Sequence, residues 1–249
     1  MLKISPPENS KDIPVASPGE GTETLASMAY QRLRHDLINA QYAPGQKLRI
    51  REMCTRYEVG LSPMREALNR LSRDGLISQN DRRGFSVTPL TAEHLQELIK
   101  TRCWINEIAL RESIANGDSA WEEAIVLALH RMSRIPRYLT DAPEPAYNPA
   151  WEEAHRSFHS SLIAACGSRW LKDFCEQLFD ASDCFRHLSR ASSVRRELRQ
   201  DEHRAIMEAA IARDTGKAIE LMRLHVTNTA ALVKERLPEL VGDQKKQPD

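Results

Sequence analysis

Cysteine is scarce and unpatterned. Cys54, Cys103, Cys166, Cys175 and Cys184 are five in number, with no C-x-x-C spacing. That argues against a disulfide framework or a cysteine-rich zinc site and leaves buried, reduced thiols as the expectation. Long apolar runs are missing too: nothing approaches the roughly 20 residues that span a bilayer. The first thirty residues lack the basic start and apolar stretch of a secretory signal. The expectation is a cytoplasmic protein without a membrane partner. Net charge is also absent, with 35 basic residues against 35 acidic, which taken alone argues against nucleic acid. What is present is 249 residues, 41% of them hydrophobic, enough for one substantial core or two unequal ones.

The zero average hides an asymmetry. Leu25 to Leu90 hold eleven basic and six acidic side chains, an excess of five that the rest of the chain balances. A small basic module joined to a larger acidic one fits a polyanion partner for the first and a different partner for the second.

Residues 1–24 combine Pro6, Pro7, Pro14 and Pro18 with glycines and no apolar periodicity, which reads as a disordered tail. From Leu25 the apolar positions Met28, Ala29, Leu33 and Leu37 recur at helical steps until Pro44-Gly45. A second helix covers about Ile50 to Tyr57. A third opens at Ser62-Pro63, with Ser62 as cap, and ends near Asp74-Gly75. Alternating stretches at Leu76–Ser78 and Phe85–Thr88 flank Asn80-Asp81-Arg82-Arg83-Gly84, which is hairpin chemistry. Three helices and a basic-tipped hairpin describe a winged helix-turn-helix over 25–90. After Pro89 the pattern is wholly helical: Thr91–Asn116, Trp121–Arg134, then about 150–165, 168–189, 193–213 and 215–236. A mainly α protein follows, with a helical bundle over 91–237 and a flexible tail at 238–249.

On the third helix Met64, Ala67, Leu68 and Leu71 form a core stripe, which leaves Arg65 and Asn69 together on the opposite face. An arginine near the start of such a helix can contact guanine or phosphate. The run Pro63, Arg65, Glu66, Ala67, Leu68, Arg70, Leu71, Gly75, Leu76, Ile77 closely resembles the GntR family of bacterial transcription regulators. The likeness extends upstream through Ala43–Leu48 and Arg51-Glu52. The resemblance implies double-stranded DNA contacts by Arg51, Ser62, Arg65, Arg82, Arg83 and Gly84. One departure stands out: a common DNA-contacting arginine of the family is replaced here by Leu61, which offers only an apolar surface.

Among the eight histidines, His155 and His159 lie four apart on one helix, and His203 and His225 lie on two later helices. Two ligands at i and i+4 with two from neighbours can build a metal site in a bundle, although chance also produces such pairs. The runs His155–His159, Glu202–Ile206 and Met222–His225 resemble the helical FCD domain of the FadR subfamily. That resemblance implies a divalent metal held by one Asp and three His, completed by the carboxylate of a small effector. The Asp position is His155 here, which removes a negative charge and favours later transition metals such as Zn or Ni. It also implies an effector-facing arginine at Arg102, whose planar fork suits a carboxylate. Trp104, Trp151 and Trp170 are core or cavity candidates. The combined expectation is a homodimeric repressor on a pseudo-palindromic operator, not an enzyme. A metal-binding bundle enzyme and a regulator with a metal-free pocket are the rivals.

Overall fold

The computed structural model describes residues 24–39, 41–80, 84–89, 91–139, 148–188 and 198–244. Helix α1 (Leu25–Ile38) is capped by Thr24, whose hydroxyl accepts the Ser27 N–H at 3.1 Å. Helices α2 (Ile50–Tyr57) and α3 (Leu61–Arg73) pack on it through Leu33, Met64, Leu68 and Leu71, none of them measurably exposed. The turn between α2 and α3 passes through Glu58 in the left-handed region at φ 56°. Gly75, at φ 77°, closes α3 in a conformation that glycine adopts without a Cβ penalty.

Two details depart from the sequence reading. Gly60, not Ser62, is the N-cap of α3, and its carbonyl accepts the Met64 N–H at 3.1 Å. Pro63 therefore sits within the first turn, where its missing N–H would have had no partner anyway. The second departure is an extra strand. β1 (Lys47–Leu48) joins β2 (Ile77–Asn80) and β3 (Gly84–Val87) in an antiparallel sheet ordered β1-β3-β2, with Leu48 opposite Phe85 and Ile77 opposite Val87. Arg82 and Arg83, expected at the hairpin tip, lie outside the described residues.

The remaining chain is helical: α4 (Ala92–Asn116), α5 (Ser119–Ser133), α6 (Pro149–Leu162), α7 (Arg169–Leu188), α8 (Leu198–Ile211) and α9 (Thr215–Gln244). Thr91, Asp118 and Asn148 cap α4, α5 and α6 with side-chain oxygens, and Pro149 takes the first position of α6. Gly117 ends α4 for reasons of space, since a Cβ there would meet the Trp121 ring at 2.3 Å. Helix α9 continues past the expected end near 236 to Gln244. Ala109, Leu110, Ile125, Phe158, Leu162 and Ile206 form the centre of the bundle core. No described helix is long and apolar enough to cross a membrane.

Helix α7 is shared. Its Cys184 packs against the winged-helix core, while Cys175 belongs to the bundle core. The winged helix is therefore seated on the same helix that walls the bundle interior.

Candidate functional site

On the winged helix, Ser62 and Arg65 are exposed at the start of α3, and Asn69 is half-buried one turn further on. Leu61, 54% exposed, extends that same end as an apolar contact surface. Most neighbouring arginines are committed to the protein. Arg56 lies 4.9 Å from the Tyr42 ring and 3.4 Å from Asp36; Arg70 covers Tyr30 at 4.1 Å; Arg49 pairs with Glu52 at 3.0 Å; Arg32 donates to the Tyr57 carbonyl at 3.3 Å. Arg51 and Arg65 have no such partner among the described residues, so their guanidinium groups are free for an external anion or base edge. Lys47 on β1 is exposed as well and was not singled out from the sequence. Gly84 opens β3 at φ 76°, consistent with a tight hairpin tip.

Inside the bundle, His155 and His159 of α6, His203 of α8 and His225 of α9 converge. All four are buried, from 2% to 8% exposed. One nitrogen from each lies within 4.8 Å of every other. The Nε2 atoms of His155 and His159 are 3.1 Å apart, and the His203 and His225 ring centres are 4.6 Å apart. Burial, reinforced by the neighbouring imidazoles, pushes His155 and His159 well below the ordinary histidine range. Both are therefore neutral at pH 7, the form that ligates a metal.

Support around the cluster came partly from residues the sequence did not flag. The His225 Nδ1–H donates to Glu202 at 2.9 Å, which leaves Nε2 facing the cluster. Trp151 stacks on His155 at 4.6 Å and 16°, so of the three tryptophan candidates it alone joins the site. Trp104 and Trp170 are 56% and 67% exposed and lie outside the core, and Trp104 lines a separate cavity between α4 and α9 rather than the one beside the histidines. The remaining histidines stay outside: His35 and His130 are exposed, His94 packs edge-on to Phe185, and buried His187 pairs with Glu152 at 3.0 Å.

Arg102 shares a cavity of about 20 Å³ with His159, along with Asn106, Arg156, Glu176 and Phe179. It is 7% exposed, its Nε has no hydrogen-bond partner, and its guanidinium rests 4.9 Å from the Phe179 ring centre. Burial draws its pKa below the usual arginine value. An unpaired buried guanidinium beside this imidazole cluster, with His155 and His159 neutral, is an environment that favours an anion.

Residues 25–87 match the bacterial regulatory proteins of the gntR family, and residues 97–228 match the FCD domain. A regulator of Paraburkholderia xenovorans (strain LB400), the HTH-type transcriptional regulator BphR, is 33% identical over 91% of both chains. The chain belongs to the GntR family and carries an FCD domain. A second relative, the HTH-type transcriptional repressor GlaR of Escherichia coli (strain K12), is 29% identical over 86% of this chain and 98% of its own. Among solved structures, E. coli McbR/YncC superposes with a TM-score of 0.68 at 17% identity, over 86% of this chain and 98% of its own. A GntR regulator from Rhodococcus sp. RHA1 gives 0.65 at 21%, over 84% and 97%. These neighbours bear on fold alone, and the fold agrees: a winged helix-turn-helix followed by a helical FCD domain. The chain is a transcription regulator, and the relatives are regulators rather than enzymes.

Proposed function

We propose that this regulator is a cytoplasmic, homodimeric repressor of the FadR subfamily whose FCD domain senses a small carboxylate through a bound divalent metal. Arg51, Ser62, Arg65 and Asn69, with Arg82, Arg83 and Gly84 of the wing, contact a pseudo-palindromic operator. His155, His159, His203 and His225 hold the metal, with Zn or Ni the ions best matched to an all-imidazole set. The donor set fits such an ion: the nitrogens are close enough to share it, His155 and His159 are uncharged, and Glu202 fixes the orientation of His225. When bound, the ion supplies a positive centre open to an anionic ligand. Arg102 then orients the effector carboxylate from within the same cavity. Dimerisation through the helical domain is favoured by Trp104, Ile108 and Leu224, large apolar side chains about half exposed on the adjoining helices α4 and α9.

The observation that carries this reading is Arg102: a buried cation without a hydrogen bond, in the same cavity as a ligand histidine. The test is elemental analysis of protein purified without a histidine tag or chelator, followed by thermal melts across small carboxylates with and without added Zn or Ni. Metal at about one ion per chain, and a carboxylate-dependent rise in Tm that needs the metal, is the expected result. Absence of metal together with indifference to Zn, Ni and every carboxylate would make the cluster ordinary core. A rise that needs no metal would favour the metal-free pocket.

A further inference from the structure

We infer that Arg156 couples the effector cavity to the winged helix through Asp180 and Arg34, an inference that rests on the effector reading above. Arg156 sits between the two ligand histidines of α6 in sequence, and its side chain lines the cavity with Arg102 and His159. It shares the Phe179 ring with Arg102, at 4.8 Å against 4.9 Å. Unlike Arg102 it is paired: with Asp180, with Glu176 at 3.3 Å, and more distantly with Asp183 at 3.8 Å. Asp180 is 7% exposed, and its other oxygen accepts two hydrogen bonds from Arg34 of α1, the Nε–H bond at 2.8 Å. One buried carboxylate on α7 thus holds an arginine of the sensing bundle with one oxygen and an arginine of the DNA-reading domain with the other.

The cavity is the reason this bridge responds to a ligand. At about 20 Å³ it has room for roughly one water molecule, so a carboxylate enters only by displacing lining groups. Arg102 and His159 are buried, whereas the Arg156 side chain is 21% exposed and held by ion pairs and the Phe179 face. An anion beside Arg156 competes with Asp180 for the same guanidinium. The carboxylate that grips Arg34 is thereby released from a shared bond, and the seating of α1 on α7 changes. Arg156 is a positioning residue: it acts on DNA binding only through Asp180 and Arg34.

Hydrogen exchange of α1 amides (residues 25–38) in the full-length protein reads this directly. The probes are Zn alone and Zn with each of a series of two- to six-carbon mono- and dicarboxylates. In the wild type, a carboxylate that raises Tm is expected to change α1 exchange by about fivefold or more. Arg34→Met, remote from the cavity, should keep the Tm rise and lose the exchange change; Asp180→Asn should do the same. Arg156→Met should weaken both. If a carboxylate raises Tm while wild-type α1 exchange stays constant, or if Arg34→Met responds as the wild type does, the coupling is refuted and the effector site stands. If no carboxylate raises Tm, the effector reading and the coupling both fall.

Discussion

Replacing Arg102 with methionine should make the unliganded protein more stable and its sensing worse. A buried guanidinium with no counter-ion costs several kcal/mol in lost hydration. Part of that is returned by the Phe179 face, 4.9 Å away, worth about 1–2 kcal/mol, and by the longer-range attraction of Asp183, which Arg186 opposes. Methionine fills similar volume with no charge, so the net gain is about 2 kcal/mol, or about 4–8 °C in Tm for a chain of this length. The same change removes a two-point, charge-assisted grip on a carboxylate, worth about 1.5–3 kcal/mol, hence roughly 10–100-fold in affinity. Differential scanning fluorimetry of wild type and Arg102→Met, metal-loaded, with and without the carboxylate that stabilises the wild type, measures both. A variant that melts lower without ligand would mean Arg102 is structurally paired. One that binds the carboxylate unchanged would remove it from the site. Either result refutes the reasoning.

Further outcomes follow from other parts of the molecule. Arg65→Ala should cost about 1–3 kcal/mol of operator discrimination with Tm unchanged, because the side chain is exposed and unpaired; a fluorescence-anisotropy titration showing unaltered operator affinity would remove α3 as the reader. Burial favours the protonated form of Glu152, but Arg186 and His187 outweigh it and hold its pKa down at about 2. A lowered carboxyl pKa stabilises fully above the unfolded value near 4.5 and is lost as pH falls toward 2, so Glu152→Gln should cost about 3 kcal/mol at pH 7 and much less at pH 3 by urea unfolding. An equal cost at both pH values would contradict the ion-pair origin. Glu202→Gln should weaken metal binding about 10–100-fold in a chelator competition, because the His225 Nδ1–H loses its charged acceptor; an unchanged affinity would show that His225 is not a ligand.

Much of the winged helix was legible because its determinants are local. The stripe Met64, Ala67, Leu68 and Leu71 sets which face of α3 is buried, and that alone leaves Arg65 outward. Strand β1 was not legible: two residues carry no alternation, and Lys47–Leu48 become a strand only by pairing with Ser86 and Phe85 far along the chain. Of the histidine cluster, His155 and His159 were readable for the same local reason, as i and i+4 on α6 point the same way; His203 and His225 came from the FCD resemblance. Its supports were not. Glu202 adjoins His203 in sequence yet bonds to His225, and Arg156 finds Asp180 twenty-four residues on, on another helix. A carboxylate next to a candidate ligand was the one available signal, and it pointed to a neighbour's histidine rather than its own.

The polar groups in this bundle make more sense as a sensor than as a scaffold. Apolar side chains of similar volume in place of Arg102 and the four histidines would pack the core at no desolvation cost. Helix α7 spaces its own polar groups differently. Asp180 and Arg186 are each held by more than one partner, so α7 is stiffly fixed to α6 and α1. The cluster beside it is rich in imidazoles, and the neighbouring Arg102 has no hydrogen bond among the described residues. A soft site set against this shared helix converts local charge neutralisation into displacement, because an anion that draws Arg156 from Asp180 loosens the carboxylate that also grips Arg34. The coupling is then bounded by the difference in stability that ligand makes at the site, and by reciprocity operator DNA must shift effector affinity by the same factor. A metal and a carboxylate that stabilise the FCD domain strongly but leave the grip of Asp180 on Arg156 and Arg34 unchanged would produce a well-bound ligand and no regulation, so it is the Asp180 bridge that decides whether binding is read.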